Sequence, residues 1–142
     1  MGLSEADTRV KLIGMLRLRA SGWDETKIRR EVQVTDGTII DSHGNRNPPR
    51  IADYILYHGG MAFAIIEAKE EEEEHLKGMK QAKDYCKMWN SMFAYASNGH
   101  KIEEFDFTTM KQQTIDTFPT PEEIYQRYIV GRFGKLRQDP LG

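Results

Sequence analysis

The sequence predicts an α/β fold in which a mixed β-sheet is flanked by helices. Two apolar runs of strand length, "RIADYILY" (50–57) and "MAFAIIEAK" (61–69), are separated by the turn "HGG", which is typical of a β-hairpin. Capping boxes at Ser4 and Thr120 precede helical patterns near the two ends of the chain. The predicted order is α-β-β-β-β-α-β-β-α, which favours layers of helices around one sheet.

The composition is typical of one globular domain. The chain has 142 residues, of which 39% are hydrophobic and 30% charged, enough for a single core. It contains no apolar run of the roughly 18 residues that a membrane span needs and no signal-peptide pattern, so we expect a cytoplasmic location without a membrane partner. Cys86 is the single cysteine, which excludes an intrachain disulfide, and the four histidines lack the spacing of a structural zinc site.

The net charge of −2 bears on nucleic-acid binding. Proteins that bind DNA strongly by themselves carry a basic excess, because neutralising phosphates supplies most of the affinity. If this chain acts on DNA, we therefore expect another component to deliver the substrate, or a local basic patch to suffice.

The first elements follow from caps and spacing. Ser4 caps a helix that ends near Gly22 and whose apolar positions are Val10, Ile13, Leu16 and Ala20. Residues 28–35 alternate as in a strand, and Asp36-Gly37 predicts a hairpin turn into a short strand over 38–40. Residues 41–49, "DSHGNRNPP", have the composition of a loop.

The second half begins with an acidic run, residues 70–74, which we interpret as a solvated loop or the start of a helix. Residues 93–97 and 101–107 predict two strands joined by an Asn-Gly turn, and Pro121 at the first helical position opens the last helix. The helix that follows the acidic run has an apolar stripe formed by Leu76, Met79, Ala82, Cys86 and Trp89.

The predicted hairpin brings three charged residues together. If "HGG" forms a three-residue loop, Asp53 lies opposite Ile65 and is the diagonal neighbour of Glu67. Because side chains alternate along a strand, Asp53 then shares a face with Glu67 and Lys69. A register slip of one residue would remove Asp53 from that face. The other face carries small and apolar side chains, namely Ala62, Ala64, Ile66 and Ala68.

This combination suits phosphodiester hydrolysis. Asp53 and Glu67 offer oxygen ligands for Mg²⁺, and the Ala68 carbonyl is a candidate third ligand. The metal would lower the pKa of bound water, while Lys69 would orient the water or offset negative charge on phosphorus. The alternative is that these residues form solvated ion pairs, which contribute little.

The motif Asp53…Glu67-Ala68-Lys69 resembles that of the PD-(D/E)xK nuclease superfamily. "QAKDY" (81–85) resembles the Q-x-x-x-Y motif of helicase-coupled members, and its Gln81 and Tyr85 are one helical turn apart. The order of "SEADTR", "IADYIL", "AFAIIEAK", "GMKQAKDY", "FAYASNG" and "FPTPEEIYQRY" is similar to the N-terminal nuclease domain of the R (restriction) subunit of type I restriction enzymes, from about Ser4 to Tyr128.

The resemblance implies a restriction-endonuclease-like fold, with a metal site at one edge of the sheet, and Mg²⁺-dependent cleavage of double-stranded DNA, with Mn²⁺ able to substitute. It implies that Asp53 and Glu67 bind the metal, that Lys69 is catalytic, and that Gln81 and Tyr85 support the site or contact DNA. Glu5 matches a first-helix acid that often joins the metal site, although an acid there also complements the helix dipole. Glu31 is a further acidic candidate, which we interpret as an ordinary strand charge.

The chain departs from a complete R subunit because it has no ATP-driven motor. "GRFGKL" (131–136) lacks the phosphate-loop pattern, so we expect ATP to bind only in a missing motor domain. We predict a nuclease domain over 1–128 and a helix end or linker over 129–142, in an excised domain or a short natural protein. The specificity and methylation subunits are the expected partners. Two alternatives are a catalytically silent docking module and a stand-alone nuclease.

Overall fold

The computed structural model describes residues 5–34, 43, 50–69, 72–98 and 100–137. The predicted Asp36-Gly37 turn, the strand over 38–40 and, apart from His43, the loop over 41–49 lie outside the described residues. The elements are α1 (Glu5–Ala20), β1 (Ile28–Gln33), β2 (Ile51–His58), β3 (Met61–Ala68), α2 (Glu72–Trp89), β4 (Phe93–Ser97), β5 (Ile102–Asp106), β6 (Lys111–Ile115) and α3 (Pro121–Arg137).

The strands form one mixed sheet in the order β1-β2-β3-β4-β5-β6. β3 and β4 pair in parallel and are joined by α2, while the other neighbours are antiparallel. The predicted α/β fold is therefore confirmed. β6 was not predicted, because "KQQTI" has no apolar alternation, and it pairs with β5 through its backbone at an exposed edge. None of the described helices is long and apolar enough to cross a membrane.

Helices cover both faces of the sheet. α1 and α3 pack on one face, where the cluster includes Met15, Leu18, Tyr54, Ile66 and Ile124. α2 packs on the other face, where the cluster includes Ile55, Ile65, Met79, Ala82, Tyr85, Cys86 and Ala94. The described part of the predicted α2 stripe is thus confirmed, with Met79, Ala82 and Cys86 buried and Trp89 partly buried.

The predicted apolar stripe of α1 is wrong at Leu16 and Ala20. Met15 and Leu18 are buried, whereas Leu16 is 59% exposed and Ala20 is exposed. The side chains of the other two predicted positions, Val10 and Ile13, lie outside the described residues. Lys11, Met15 and Leu18 follow the spacing i, i+4 and i+7, so Lys11 lies on the same face of α1 as the two buried residues.

The predicted helix ends at Gly22 and Thr120 are confirmed, whereas the predicted cap at Ser4 lies outside the described residues. Gly22 follows α1 with φ of 95°, a left-handed conformation that glycine adopts without a Cβ clash. The backbone N–H of Glu123 donates to Oγ1 of Thr120 at 3.1 Å, which caps α3. The fully buried Trp23 donates its indole N–H to the carbonyl of Pro119 at 2.8 Å and so joins the end of α1 to the start of α3.

Candidate active site

The β2–β3 turn has two residues, so the predicted three-residue loop is wrong. His58 pairs with Met61 across Gly59 and Gly60, whose φ angles are 59° and 81°. Two consecutive positive φ values are typical of the type I′ hairpin turn, which favours glycine because other residues resist that conformation.

A β-bulge then sets the register of the site. Phe63 is an extra residue in β3, between the pairs Tyr57–Ala62 and Leu56–Ala64. One position beyond the pair Tyr54–Ile66, this register places Asp53 directly opposite Glu67.

The predicted register was therefore wrong by two residues, since Ile65 pairs with Ile55 and not with Asp53. A shift of two leaves a residue on the same face but brings Asp53 nearer to Glu67 than a diagonal neighbour would be. The predicted small-residue face is wrong at Ala62, which packs on the α2 side whereas Ala64 packs on the side of α1 and α3. The bulge between them explains this reversal.

Two contacts hold the Asp53 carboxylate, which is 9% exposed. Its Oδ2 accepts a hydrogen bond from the backbone N–H of Ala68 at 2.8 Å, across the hairpin. Its Oδ1 lies 3.2 Å from Nζ of Lys11, which comes from α1. The carboxylate is therefore fixed by one strand and one helix.

Glu67 is more deeply buried, with 2% exposure, and its Oε1 has no hydrogen-bond partner among the described residues. Burial raises the pKa of Glu67 to about 10, with further contributions from a side-chain hydrogen bond with Asp53 and from the negative charge of Asp53. The positive charge of Lys69 acts in the opposite direction. Without another cation, the Glu67 carboxyl group therefore keeps its proton at neutral pH.

These features fit a divalent cation. Two adjacent carboxyl groups, one with an unpaired buried oxygen, gain from a positive charge placed between them. Among the described residues, no group of three or more His, Cys, Asp and Glu side chains forms a metal cluster. A pair is compatible with Mg²⁺, which usually keeps several waters and takes one or two protein carboxylates.

Lys69 follows β3 directly, and its backbone N–H donates to the carbonyl of Ser97 in β4 at 2.8 Å. Its side chain passes under α2 at Gly78, where an added Cβ would lie 2.9 Å from Cγ of Lys69 and 3.7 Å from Cβ of Glu67. Gly78 thus allows α2 to lie directly over the site. This glycine was not predicted as part of the site, although an isolated glycine in a helix is a signal of close packing.

Tyr85 and Gln81 occupy the next turns of α2. Tyr85 is 4% exposed, and burial raises the pKa of its hydroxyl, with further contributions from Glu67 and Asp53. Its phenol is therefore within electrostatic reach of both carboxylates. Gln81 is half-buried one turn earlier.

The structure thus brings Asp53, Glu67, Lys69 and Tyr85 together at the end of β3, and it adds Lys11 to them. The role of each residue stays a prediction, as does the Ala68 carbonyl ligand. The side chain of Glu5, at the start of α1, lies outside the described residues.

Three lysines of α2 lie near a part of the sheet away from Asp53. Lys80, Lys83 and Lys87 line a groove of about 390 Å³ together with Gln112 of β6. The ammonium of Lys83 lies 4.0 Å from the ring centre of Phe105 in β5, and β5 is three strands away from the strand that carries Asp53.

This α/β domain matches a known family of proteins. A family model described as the second domain of the type I restriction enzyme EcoKI endonuclease subunit matches residues 40–121. This match covers more than half of the chain and includes Asp53, Glu67, Lys69 and Tyr85, so the chain belongs to that family.

Two relatives show the extent of the likeness. The type I restriction enzyme EcoAI endonuclease subunit of Escherichia coli is 37% identical over 149 residues, which cover 98% of this chain and 18% of that protein. A solved fragment assigned to an HsdR subunit of a type I restriction enzyme from Vibrio vulnificus is 38% identical, with a TM-score of 0.74, covering 92% of this chain and 26% of that one. The chain therefore spans a minor part of the relatives it matches.

Proposed function

We propose that this chain is the DNA endonuclease domain of a type I restriction enzyme R subunit and that it hydrolyses phosphodiester bonds with Mg²⁺, or with Mn²⁺ in its place. Family membership and the EcoAI relative support the class of activity. The observation that carries the proposal is the unpaired buried Oε1 of Glu67 beside Asp53.

In this proposal Asp53 and Glu67 hold the metal, and the Ala68 carbonyl is the third protein ligand. Asp53 is oriented for this role by the Ala68 N–H and by Lys11. When bound, the ion would supply a water of lowered pKa and would neutralise charge on the phosphate. Glu67 would exchange its proton for the metal, since ligating carboxylates are ionised.

Lys69 is proposed as the catalytic lysine. Its position two residues after Glu67 allows its ammonium to offset negative charge that develops on phosphorus, or to orient the attacking water. Tyr85 of α2 is buried, and Glu67 and Asp53 contribute to raising its pKa; it is proposed to support the placement of the two acids. Gln81, one turn earlier, is proposed to support the site or to contact DNA.

The partners belong to the same proposal. The net charge of −2 supports a domain to which double-stranded DNA is delivered by an ATP-driven motor, because the chain lacks the basic excess of an independent DNA binder. Specificity and methylation subunits would choose the recognition site, and ATP would bind in the motor. The nuclease domain over 1–128, its connection over 129–142 and the cytoplasmic location stay predictions; α3 extends through the first part of that connection, to Arg137.

A Mn²⁺ calorimetric titration in the presence of a short DNA duplex tests the metal site. We expect saturable binding by the wild type and none by Glu67→Gln. Glu122→Gln, which removes one exposed carboxylate from the first turn of α3, is the matched control and should bind as the wild type does. Equal binding by Glu67→Gln would contradict the site.

Cleavage by the assembled restriction complex separates a nuclease from a silent docking module. We expect Lys69→Met to keep Mn²⁺ binding and complex assembly and to lose cleavage. If Lys69→Met and Glu67→Gln both cut DNA at the wild-type rate, this domain is not the nuclease.

A further inference from the structure

Lys11 of α1 lies between two carboxylates. Its Nζ is 2.9 Å from Oε1 of Glu31 and 3.2 Å from Oδ1 of Asp53. The side chains of Lys11 and Asp53 are only 18% and 11% exposed, so their contact is largely shielded from water and is stronger than an ordinary surface ion pair. One ammonium thus occupies a position that two acidic side chains of neighbouring strands define.

The backbone at Glu31 departs from ordinary strand geometry. Glu31 has φ of 51° within β1, a left-handed conformation that is uncommon for residues other than glycine and that tends to occur at functional sites. The register of β1 and β2 places Glu31 opposite Asp53, between the pairs Arg30–Tyr54 and Val32–Ala52.

The side-chain alternation reverses at the same point in both strands. Tyr54 packs under α1 and α3, whereas Ala52, two positions before it, packs under α2. Ile28 and Val32, four positions apart in β1, are divided in the same way. Residues an even number apart in a regular strand share a face, so the alternation is interrupted in the stretches that contain Glu31 and Asp53, the two residues that Lys11 of α1 contacts.

We infer that Lys11 is a built-in cation that fills the second cation position of the site, so that the domain binds a single divalent ion at Asp53 and Glu67. This inference rests on the proposed function. The ammonium satisfies Glu31 and one oxygen of Asp53, and Glu67 is left to the divalent ion.

The charges support a single ion. Asp53, Glu67 and Glu31 carry three negative charges when all are ionised, and Lys11 with one divalent ion balances them. Lys69 then remains available for the DNA phosphate. A second divalent ion would instead have to displace the Lys11 ammonium, since both would use the same oxygens of Asp53 and Glu31.

Removing the ammonium should open the second position. Its distances of 2.9 and 3.2 Å to the two oxygens exceed the roughly 2.1 Å of a Mg²⁺–oxygen bond. An ion could therefore bind after a side-chain shift of about 1 Å. The second site would depend on Glu31, whereas the first site would not.

The test is the Mn²⁺ stoichiometry of the chain, measured by calorimetry and by electron paramagnetic resonance of bound Mn²⁺. We expect one ion for the wild type and for Lys11→Arg, two ions for Lys11→Met, and one ion again for the double variant Lys11→Met/Glu31→Gln. Lys111→Met, which removes a lysine from the exposed edge strand β6, is the charge-matched control and should bind one ion. Lys11→Gln gives the same test if Lys11→Met fails to fold.

The outcomes separate this inference from the proposed function. One ion in both the wild type and Lys11→Met would overturn the inference and leave the metal site at Glu67 intact. Two ions in the wild type, or loss of the single ion in Lys11→Met, would also overturn it. No binding by any variant would overturn the proposed metal site together with the inference.

Discussion

The sheet carries two pairs of buried acidic residues, and the two pairs differ in the cation that neutralises them. Glu104 and Asp106 of β5 are 1% and 6% exposed, as deeply buried as Asp53 and Glu67. Arg127 of α3 donates to both oxygens of Glu104 at 2.7 and 2.8 Å and to Oδ2 of Asp106 at 2.9 Å. This second pair therefore carries its own cation.

The pKa values of the two buried glutamates shift in opposite directions. Burial alone would raise the pKa of Glu104, but hydrogen bonds from Arg127, Tyr95 and Gln113 lower it below its ordinary value. Among the described residues Glu67 has no comparable donor, so burial and Asp53 raise its pKa to about 10. Lys11 contacts Asp53 and Glu31. Oε1 of Glu67 has no hydrogen-bond partner among the described residues.

The presence or absence of a cationic partner separates a structural buried acid from a candidate functional one. A buried acid with an internal partner holds the fold together, as Glu104 does by joining α3 to the sheet. A buried acid that lacks one destabilises the metal-free protein and is retained where a ligand completes it. The two pairs are similarly buried, so burial does not distinguish them. The presence of Arg127 beside Glu104 and Asp106 does.

The largest expected effect is on cleavage. If Glu67 is a metal ligand as proposed, Glu67→Gln should reduce the rate of DNA cleavage by the assembled complex in Mg²⁺ by about 1000-fold. Glu104→Gln should keep most of the activity at a temperature where it is folded. Comparable losses in the two variants would remove the functional distinction between the pairs.

The next effect is on stability. Arg127→Met should lower the free energy of unfolding by about 3 kcal/mol, because it leaves two buried carboxylates without their cation. Arg29→Met, which removes an exposed arginine lying over the ring of Tyr57, should cost less than about 1 kcal/mol. Urea unfolding at pH 7 measures both, and equal costs would show that Arg127 is not the structural cation we describe.

A smaller effect concerns pH. Above pH 4.5 the unfolded chain releases the Glu67 proton, whereas the folded metal-free protein keeps it up to about pH 10. Through this group, stability therefore falls as pH rises across that range. Between pH 6 and 7.5, in the presence of a chelator, the wild type should lose about 2 kcal/mol more than Glu67→Gln does. Parallel pH profiles would contradict the raised pKa.

The sequence predicted the local features and missed the long-range ones. Helix caps at Gly22 and Thr120, the hairpin and the α2 stripe follow from neighbouring residues, so they were predictable. The register was not, because it depends on the Gly59-Gly60 turn and on the extra residue Phe63. A Gly-Gly dipeptide does favour the two-residue turn, but nothing local indicates the bulge.

The site was predicted in part for the same reason. Asp53, Glu67 and Lys69 belong to one hairpin and its end, so their proximity follows from strand pairing. Lys11 comes from a helix 42 residues before Asp53, and Gly78 comes from the crossover helix. Their positions depend on how α1 and α2 pack on the sheet, which the periodicity of a single helix does not specify.

The smallest effect is at Gly78. Gly78→Ala should lower the cleavage rate by about 10-fold, because the new Cβ would meet Cγ of Lys69 at 2.9 Å and move the lysine. Mn²⁺ binding should be unchanged. Gly14→Ala is the matched control in α1, where an added Cβ has no heavy atom within 4 Å. If both variants cut DNA equally fast, the position of Lys69 does not depend on Gly78.

The most direct test of the account is the unfolding temperature with and without saturating Mn²⁺ for the wild type, Glu67→Gln and Glu104→Gln. An ion that binds only the folded protein raises this temperature by about 9 °C at a hundredfold excess over its Kd. We predict this rise for the wild type and for Glu104→Gln, and none for Glu67→Gln. An equal rise in Glu67→Gln, or no rise in the wild type, would contradict the account. In that account Asp53 and Glu67 bind a divalent cation, whereas Arg127 already neutralises Glu104 and Asp106.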